Sequence, residues 1–181
     1  PPKIQTESAH GSVRAIESTL PHLQKVLEIV DVESIRKVKP KVWIDCCHGA
    51  GSRLARPLLE ALGCEVTVVG EPPDGQFEHE PEPTAENLID WLPQIPAAGA
   101  DIGFFQDPDA DRLAIASPTG NYLGEELTLA IAADAVLTKS PGPVVINCST
   151  SQLTAHLAKR HGSPCTLSAV GEANVVDEML K

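Results

Sequence analysis

Short apolar runs alternate with segments of helical spacing along most of this chain. The strand-like runs share a length of four to six residues and lie at 41–46, 64–69, 101–106, 113–116, 144–148 and 166–170. Segments with apolar residues three and four positions apart lie between them, as over 52–62. This alternation predicts an α/β fold: a three-layer α/β/α domain with a mixed, mainly parallel sheet, followed by the start of a second, similar α/β domain.

The order of these segments divides the chain into three parts. Before the first strand, four apolar residues recur at helical spacing: Leu20, Leu23, Leu27 and Val30. We expect a leading helical segment over 1–40, with a turn after its helix. The first α/β domain is expected over 41–117 and the start of the second over 118–181.

Individual residues predict where the helices of the first domain begin and end. Ser52 fits an N-cap and Gly63 fits a C-terminal stop. Pro57 fits poorly inside a helix, so we expect the regular part of this helix to begin near it. After a long proline-rich connection, a further helix is expected from Thr84 through Leu92.

Composition excludes several classes of partner. The chain carries 25 acidic side chains against 14 basic ones, a formal charge of −11 that repels a phosphate backbone, so no nucleic-acid partner is expected. No apolar stretch reaches the roughly 18 residues that span a bilayer, so no membrane partner is expected. The five cysteines are odd in number and lie in or beside apolar runs, which favours reduced thiols and a cytoplasmic location.

The two ends of the chain indicate a piece of a longer protein. The chain does not begin with methionine, has no secretory pattern at its start, and finishes inside a segment of amphipathic helical spacing at 175–181. We therefore expect an internal piece of a longer protein.

The most informative polar feature is the triple Asp107, Asp109 and Asp111, directly after an apolar strand. Alternate residues of an extended loop turn toward the same side, so these three carboxylates are expected to meet. They would repel one another unless a cation, most naturally a hard one such as Mg²⁺ or Ca²⁺, lay among them. The neighbouring Arg112 favours phosphate chemistry, because a guanidinium beside a metal clamps phosphoryl oxygens at two points.

Other kinds of loop begin with the same pattern. An EF-hand needs glycine at its sixth position and glutamate at its twelfth, where this chain has Arg112 and Pro118. A haloacid-dehalogenase-type phosphatase usually has threonine or valine two places after its D-x-D, where this chain has Asp111. A D-x-D phosphatase, a cation-binding module without catalysis and a plain solvated loop stay open as alternatives. Arg112 would then be a surface counterion.

Six stretches follow one another in the order of a known family. They are VWIDCCHGAG at 42–51, PDGQFEHEPEPTAENL at 73–88, DPDADRLAI at 107–115, GNYLGEELTLAIAADAVL at 120–137, VVINCSTSQLTAHLAKRHG at 144–162 and VGEANVVDEML at 170–180. Together they resemble the α-D-phosphohexomutases, the superfamily of phosphoglucomutase, phosphomannomutase and phosphoglucosamine mutase. The similarity covers the family's second domain and the beginning of its third, and places residues 1–40 at the passage from the first domain into the second. Pro108 stands where the family often has glycine.

The resemblance implies reversible transfer of a phosphoryl group between C1 and C6 of a hexose, through a phosphoserine and a bisphosphate intermediate. It implies Mg²⁺ held by Asp107, Asp109 and Asp111, with Arg112 as a catalytic residue that stabilises the transferring group. The family's serine loop, sugar-reading loop and fourth domain have no counterpart here. The chain alone is therefore expected to be inactive, with a hexose phosphate and the remaining domains as partners. The VGEANVV stretch is closer to phosphoglucosamine mutases.

Three further features have two interpretations each. The glycine turn 48–51 either cradles a phosphate or lets strand and helix pack closely, and we favour packing. His79 is either a metal ligand or part of a rigid surface loop over 70–83, and we favour the loop. Ser149 and Ser151 are interpreted as helix caps rather than as nucleophiles.

Overall fold

The computed structural model describes residue 12, residues 14–16 and residues 19–181. Its helices are α1 (Thr19–Ile29), α2 (Val32–Val38), α3 (Ser52–Ala61), α4 (Gln94–Ala97), α5 (Gly124–Lys139), α6 (Gln152–Arg160) and α7 (Glu172–Met179). Its strands are β1 (Lys41–Asp45), β2 (Glu65–Val69), β3 (Ile102–Gln106), β4 (Leu113–Ala116), β5 (Tyr122–Leu123), β6 (Val144–Asn147) and β7 (Cys165–Ser168). Of the leading segment expected over 1–40, residues 1–11, 13, 17 and 18 lie outside this part.

The first sheet is mixed, as the alternation predicts. Its strand order is β2-β1-β3-β4-β5. The strands β2 and β3 both run parallel to β1, whereas β4 and β5 are antiparallel to their neighbours. Strand β1 has an apolar centre, Val42 to Ile44, and is buried along all but its first residue, as expected for a central parallel strand with both faces covered.

The core of this first unit lies on both faces of its sheet. Successive side chains of a strand point to opposite faces, so Trp43 packs on one face with Phe105, and Ile44 packs on the other with Ala55 of α3. The rings of Trp43 and Phe105 lie 5.1 Å apart between centroids. Helix α3 covers one face, and the turns of 84–100, with Leu88, cover the other. These layers form the predicted α/β/α arrangement.

The segment after Thr84 is not the helix that the sequence predicts. Residues 85–93 form successive turns, and only the short α4 is helical. The backbone N–H of Leu88 still donates to the carbonyl of Thr84, at 3.1 Å, so one helical turn does form. Pro93 and Pro96 lack the N–H groups that a continued helix requires, and in such a helix each ring would clash with the carbonyl four residues earlier.

Helix α3 ends as predicted, with Gly63 at a φ of 80° after the C-cap Leu62, but its beginning differs from the prediction. It begins at Ser52 rather than near Pro57, and Pro57 lies inside it. The carbonyl that Pro57 leaves without an intrahelical partner belongs to Arg53, and both residues are exposed, so this carbonyl is open to solvent. The N-cap is Gly51, while the hydroxyl of Ser52 donates to the carbonyl of Gly49 at 2.8 Å.

The turn expected after the leading helix is a second short helix, α2. Its N-cap Asp31 accepts hydrogen bonds from the backbone N–H and the hydroxyl of Ser34, at 3.1 and 2.8 Å. This cap supplies the start signal that the apolar pattern did not contain. Arg36 then donates to the carbonyl of Ala61 at 2.8 Å and joins α2 to the end of α3.

A second sheet follows, as expected. Strands β6 and β7 pair in parallel, with α6 between them and α7 after β7. Helix α6 begins at Gln152, and its N-cap is Ser151 rather than Ser149. Strand β5 pairs with β4 through Ala116 and Tyr122, so the boundary expected near Ser117 falls within the β4–β5 hairpin. The division into domains stays a prediction.

Among the described residues, no helix has the length and apolar character needed to cross a membrane.

Candidate metal centre

The candidate site lies at the edge of the first sheet where its parallel strands end. Strands β1 and β3 run side by side in parallel, so the residues that follow them meet there. Asp107 directly follows β3, and the connection 107–112 returns the chain into β4 as a hairpin. The backbone N–H of Ala110 donates to the carbonyl of Asp107 at 3.1 Å, and Ala110 takes a φ of 63°. The loop is therefore a tight turn.

This turn brings the three predicted aspartates together. One carboxylate oxygen from each of Asp107, Asp109 and Asp111 lies within 4.8 Å of the others. Asp107 is buried, whereas Asp109 and Asp111 are exposed. Three hard oxygen donors in one place fit the ligand preference of Mg²⁺ or Ca²⁺. The donor set therefore suits the metal that the sequence predicts.

The pKa values of the buried Asp107 and the exposed Asp111 are shifted in opposite directions. Burial raises the pKa of Asp107, but hydrogen bonds from the backbone N–H and side chain of Arg112 outweigh that effect and hold the pKa below its ordinary value. The pKa of Asp111 is raised, first by the hydrogen bond it shares with Asp107 and then by the charges of Asp109 and Asp107. The carboxylates of Asp107 and Asp109 therefore disfavour the charged form of Asp111, and a bound cation would offset this repulsion.

Arg112 is held between two carboxylates. Its backbone N–H and its Nε donate to the two oxygens of Asp107, at 3.1 and 3.0 Å. Its Nη1 donates to Oε1 of Glu82, and its Nη2 donates to Oε2 of the same residue at 2.9 Å. The contact with Glu82, and then that with Asp107, raises the pKa of Arg112, and the same ion pair lowers the pKa of Glu82.

Sequence reasoning missed the contact with Glu82. This residue lies 30 positions before Arg112, in the proline-rich connection over 70–83. No local pattern in this connection joins it to Arg112. The two segments reach one edge because β2 and β3 both pair in parallel with β1.

The glycine turn 48–51 contacts and supports the aspartate loop 107–112. The backbone N–H of Ala50 donates to the carbonyl of Pro108 at 2.8 Å. A Cβ atom at Gly49 would lie 2.3 Å from that same carbonyl oxygen, so only glycine permits this approach. The close approach of the aspartate loop, rather than the expected packing of strand and helix, accounts for the glycine at this position.

His79 fixes the 70–83 connection to the end of β1. Its Nε2 lies 2.6 Å from Oδ2 of Asp45, and its Nδ1 lies 2.7 Å from the carbonyl oxygen of Glu80. Both side chains of the His79–Asp45 pair are buried, and the histidine ring packs edge-on against Trp91. The hydrogen bond to Asp45 raises the pKa of His79 against the opposing effect of burial. Because both ring nitrogens are engaged, His79 is interpreted as an anchor rather than a metal ligand.

A cleft of about 390 Å³ opens beside Arg112, between the aspartate loop and the second unit. Asp111, Arg112, Glu125 and Thr128 line one side, and Asn147, Ser149 and Thr150 line the other. The hydroxyl of Ser149 donates to Asn147 Oδ1 at 2.7 Å, and that of Ser151 accepts the backbone N–H of Leu153. Both serines are therefore engaged locally, and Ser151 is the cap.

Two family models match the chain. The phosphoglucomutase/phosphomannomutase alpha/beta/alpha domain II model matches residues 21–120, and the domain III model of the same family matches residues 124–181. This chain belongs to the phosphoglucomutase/phosphomannomutase family.

Individual relatives agree with the family. A phosphoglucomutase/phosphomannomutase of Thermococcus kodakarensis is 37% identical over 94% of this chain and 38% of its own length. A probable phosphoglucosamine mutase of Methanopyrus kandleri is 31% identical over 85% of this chain and 34% of its own length. The crystal structure of a putative phosphomannomutase from Thermus thermophilus shares the fold, with a TM-score of 0.84 at 23% identity over 94% of this chain and 40% of the other. The chain thus spans under half the length of these relatives.

Proposed function

We propose that this chain is the metal-bearing part of a phosphohexomutase that moves a phosphoryl group between C1 and C6 of a hexose. The observation that carries the proposal is the convergence of Asp107, Asp109 and Asp111 within 4.8 Å, with the guanidinium of Arg112 bonded to the first of them. The family match and the names of the relatives support a mutase. The transfer would proceed through a phosphoserine and a bisphosphate intermediate.

Each residue of the site has a defined task in this proposal. Asp107, Asp109 and Asp111 would hold Mg²⁺, which when bound neutralises negative charge on the phosphoryl group. Arg112 carries a delocalised charge and several N–H donors, and would bind the phosphoryl oxygens as negative charge develops on them. Asp107 orients Arg112 by accepting hydrogen bonds from the Nε and the backbone N–H of Arg112. The Asp45–His79 pair and the glycine turn hold the surrounding loops in place.

The substrate is proposed at the level of a hexose phosphate and its bisphosphate. Relatives named for glucose and mannose and relatives named for glucosamine both match at more than 30% identity. The inclination toward phosphoglucosamine therefore stays a prediction, as does the cytoplasmic location. The remaining domains of a longer enzyme are the proposed partners, and they would supply the phosphoserine.

The alternatives gain nothing from the comparisons. The matched models and relatives are mutases, and they lend no support to a D-x-D phosphatase or to a cation-binding module without catalysis.

The test uses the full-length protein that contains this chain. Asp109→Asn removes one carboxylate charge and is expected to lower kcat/KM for a hexose 1-phosphate by at least about 100-fold. Asp90→Asn makes the same chemical change at an exposed site outside the cluster and should leave kcat/KM within about twofold. Equal activity of Asp109→Asn and wild type would refute the proposed function.

A further inference from the structure

The guanidinium of Arg112 has no free edge for a phosphoryl group. An arginine carries five N–H donors in a planar fork, and two-point contacts use either the end-on edge between its two Nη atoms or the side-on edge that includes Nε. Both oxygens of Glu82 occupy the end-on edge. The Nε donor of the side-on edge is given to Asp107 at 3.0 Å. The two N–H groups that remain diverge and cannot both reach one phosphoryl group.

We infer that Glu82 is a competing carboxylate, which occupies the end-on edge of Arg112 and is displaced when this arginine binds a phosphoryl group. The inference rests on the phosphoryl-binding role proposed for Arg112. Glu82 is thereby added to the site as a positioning residue. It determines when the end-on edge of Arg112 is free to bind a phosphoryl group.

Burial identifies Glu82, and not Asp107, as the carboxylate that leaves. The side chain of Asp107 is only 2% exposed and also accepts the backbone N–H of Arg112, so its release would strand a buried charge. The side chain of Glu82 is 49% exposed, and water can solvate its carboxylate once it turns away. Exchange at the end-on edge is therefore the less costly route.

The backbone around Glu82 is fixed, so the exchange needs only a side-chain rotation. The carbonyl of Glu82 accepts the backbone N–H of Thr84 at 2.8 Å and the side-chain amide of Asn87 at 2.9 Å. Three residues earlier, His79 anchors the same segment to Asp45. The cleft of about 390 Å³ beside Arg112 gives the phosphoryl group its approach.

The experiment titrates the 181-residue chain with inorganic phosphate at fixed Mg²⁺ and moderate salt. The reporter is the NMR resonance of the Arg112 Nε–H group, assigned by its absence in Arg112→Lys. Glu82→Gln removes the competing charge, and Glu82→Asp keeps the charge but shortens the reach so that both oxygens cannot span the edge. Both variants are expected to bind phosphate about fivefold more tightly than wild type.

Glu125→Gln is the matched control, because Glu125 lines the same cleft and its charge interacts with Arg112 without an ion pair to it. It is expected to change phosphate affinity by less than about twofold. The inference is overturned if both Glu82 variants bind phosphate no more tightly than wild type. It is also overturned if neither wild type nor the variants reach saturation with phosphate. An equal gain in Glu125→Gln, which would show a general charge effect, overturns it as well. None of these results bears on the mutase test of Asp109→Asn, so the two proposals fail separately.

Discussion

At the residue scale, the site depends on which charges are buried and which are not. Asp107 is buried, and its two oxygens are both satisfied by Arg112, whereas Asp109 and Asp111 face water. The buried member is held ionised by its hydrogen bonds, and the exposed members remain available to a cation. The same arginine thus supports the fold through Asp107 and presents its charge toward the cleft.

Truncation of Arg112 should separate these two roles. In the full-length protein, Arg112→Ala is expected to lower kcat by at least about 100-fold, because the donor to the transferring group is lost. The free energy of unfolding should fall by only about 1–3 kcal/mol, the cost of leaving the Asp107 carboxylate without its side-chain partner. Steady-state kinetics and denaturant unfolding measure both quantities. Activity that falls only as far as the folded fraction does would assign Arg112 a purely structural role.

The His79–Asp45 pair should make stability depend on pH. The pKa of His79 is raised above its ordinary value of 6.5 in the folded chain, so its contribution is fully present below pH 6.5 and is lost as the pH rises through the folded-state pKa. Replacement by His79→Asn is expected to cost about 2 kcal/mol at pH 6 and less at pH 9. Denaturant unfolding across this range measures the difference, with the exposed His22→Asn as control. A cost that stays constant from pH 6 to pH 9 would contradict this assignment.

At the element scale, two loops from different strands lie in contact at the end of the sheet. The turn after β1 donates from Ala50 to Pro108, in the loop after β3. Parallel neighbours end at the same edge, so their following loops meet without any local signal in either one. The position of the aspartates therefore depends on a turn about 60 residues earlier in the chain, as Ala50 and Pro108 illustrate.

Gly49→Ala tests this dependence. The added Cβ would lie 2.3 Å from the carbonyl oxygen of Pro108, and both groups are backbone-fixed, so the aspartate loop must shift. We expect a loss of about 1–3 kcal/mol in the free energy of unfolding and a weaker response to Mg²⁺. Gly142→Ala is the control, because a Cβ there has no neighbour within 4 Å. If the two variants unfold alike and respond alike to Mg²⁺, the contact does not support the loop.

At the scale of the whole molecule, the chain is acidic, and its negative charges disfavour the clustering of three carboxylates. The net charge is −11, and the three aspartates add local repulsion that raises the pKa of Asp111. A divalent cation that binds the folded cluster and not the unfolded chain would stabilise the fold by mass action. The expected affinity is low, since Mg²⁺ gives up its waters reluctantly and only three carboxylates converge here.

The melting temperature of the 181-residue chain should therefore rise with Mg²⁺ concentration. A tenfold excess over the dissociation constant corresponds to about 1.4 kcal/mol. Thermal melts from 1 to about 50 mM Mg²⁺ measure the rise, and Asp109→Asn should show little of it. If the melting temperature does not respond to tens of millimolar Mg²⁺, or if the variant responds equally, the assignment of a metal site in the isolated chain is wrong. The same preparation is expected to give no turnover of hexose 1-phosphates.

The sequence by itself determined the features that depend on local pattern. Apolar strands of period two and helices of period 3.6 predicted the α/β class, the parallel pairs and the hairpin around the aspartate loop. The spacing of Asp107, Asp109 and Asp111 predicted that they meet, although a tight turn with Ala110 at positive φ, and not the extended loop expected, brings them together. Helix boundaries were less well predicted, since the capping at Asp31, the exposed side of Pro57 and the prolines after Leu92 decide them.

Only the tertiary structure decided which distant side chains serve the site. Glu82 reaches Arg112 across 30 residues, and His79 reaches Asp45 across 34, through contacts that depend on the parallel pairing of β2 and β3 with β1. The chain has 25 acidic residues, so the sequence pattern alone does not show which of them pairs with a given arginine or histidine. Strand pairing removes that ambiguity, because it brings particular loop residues to one edge of the sheet and leaves the others in solvent.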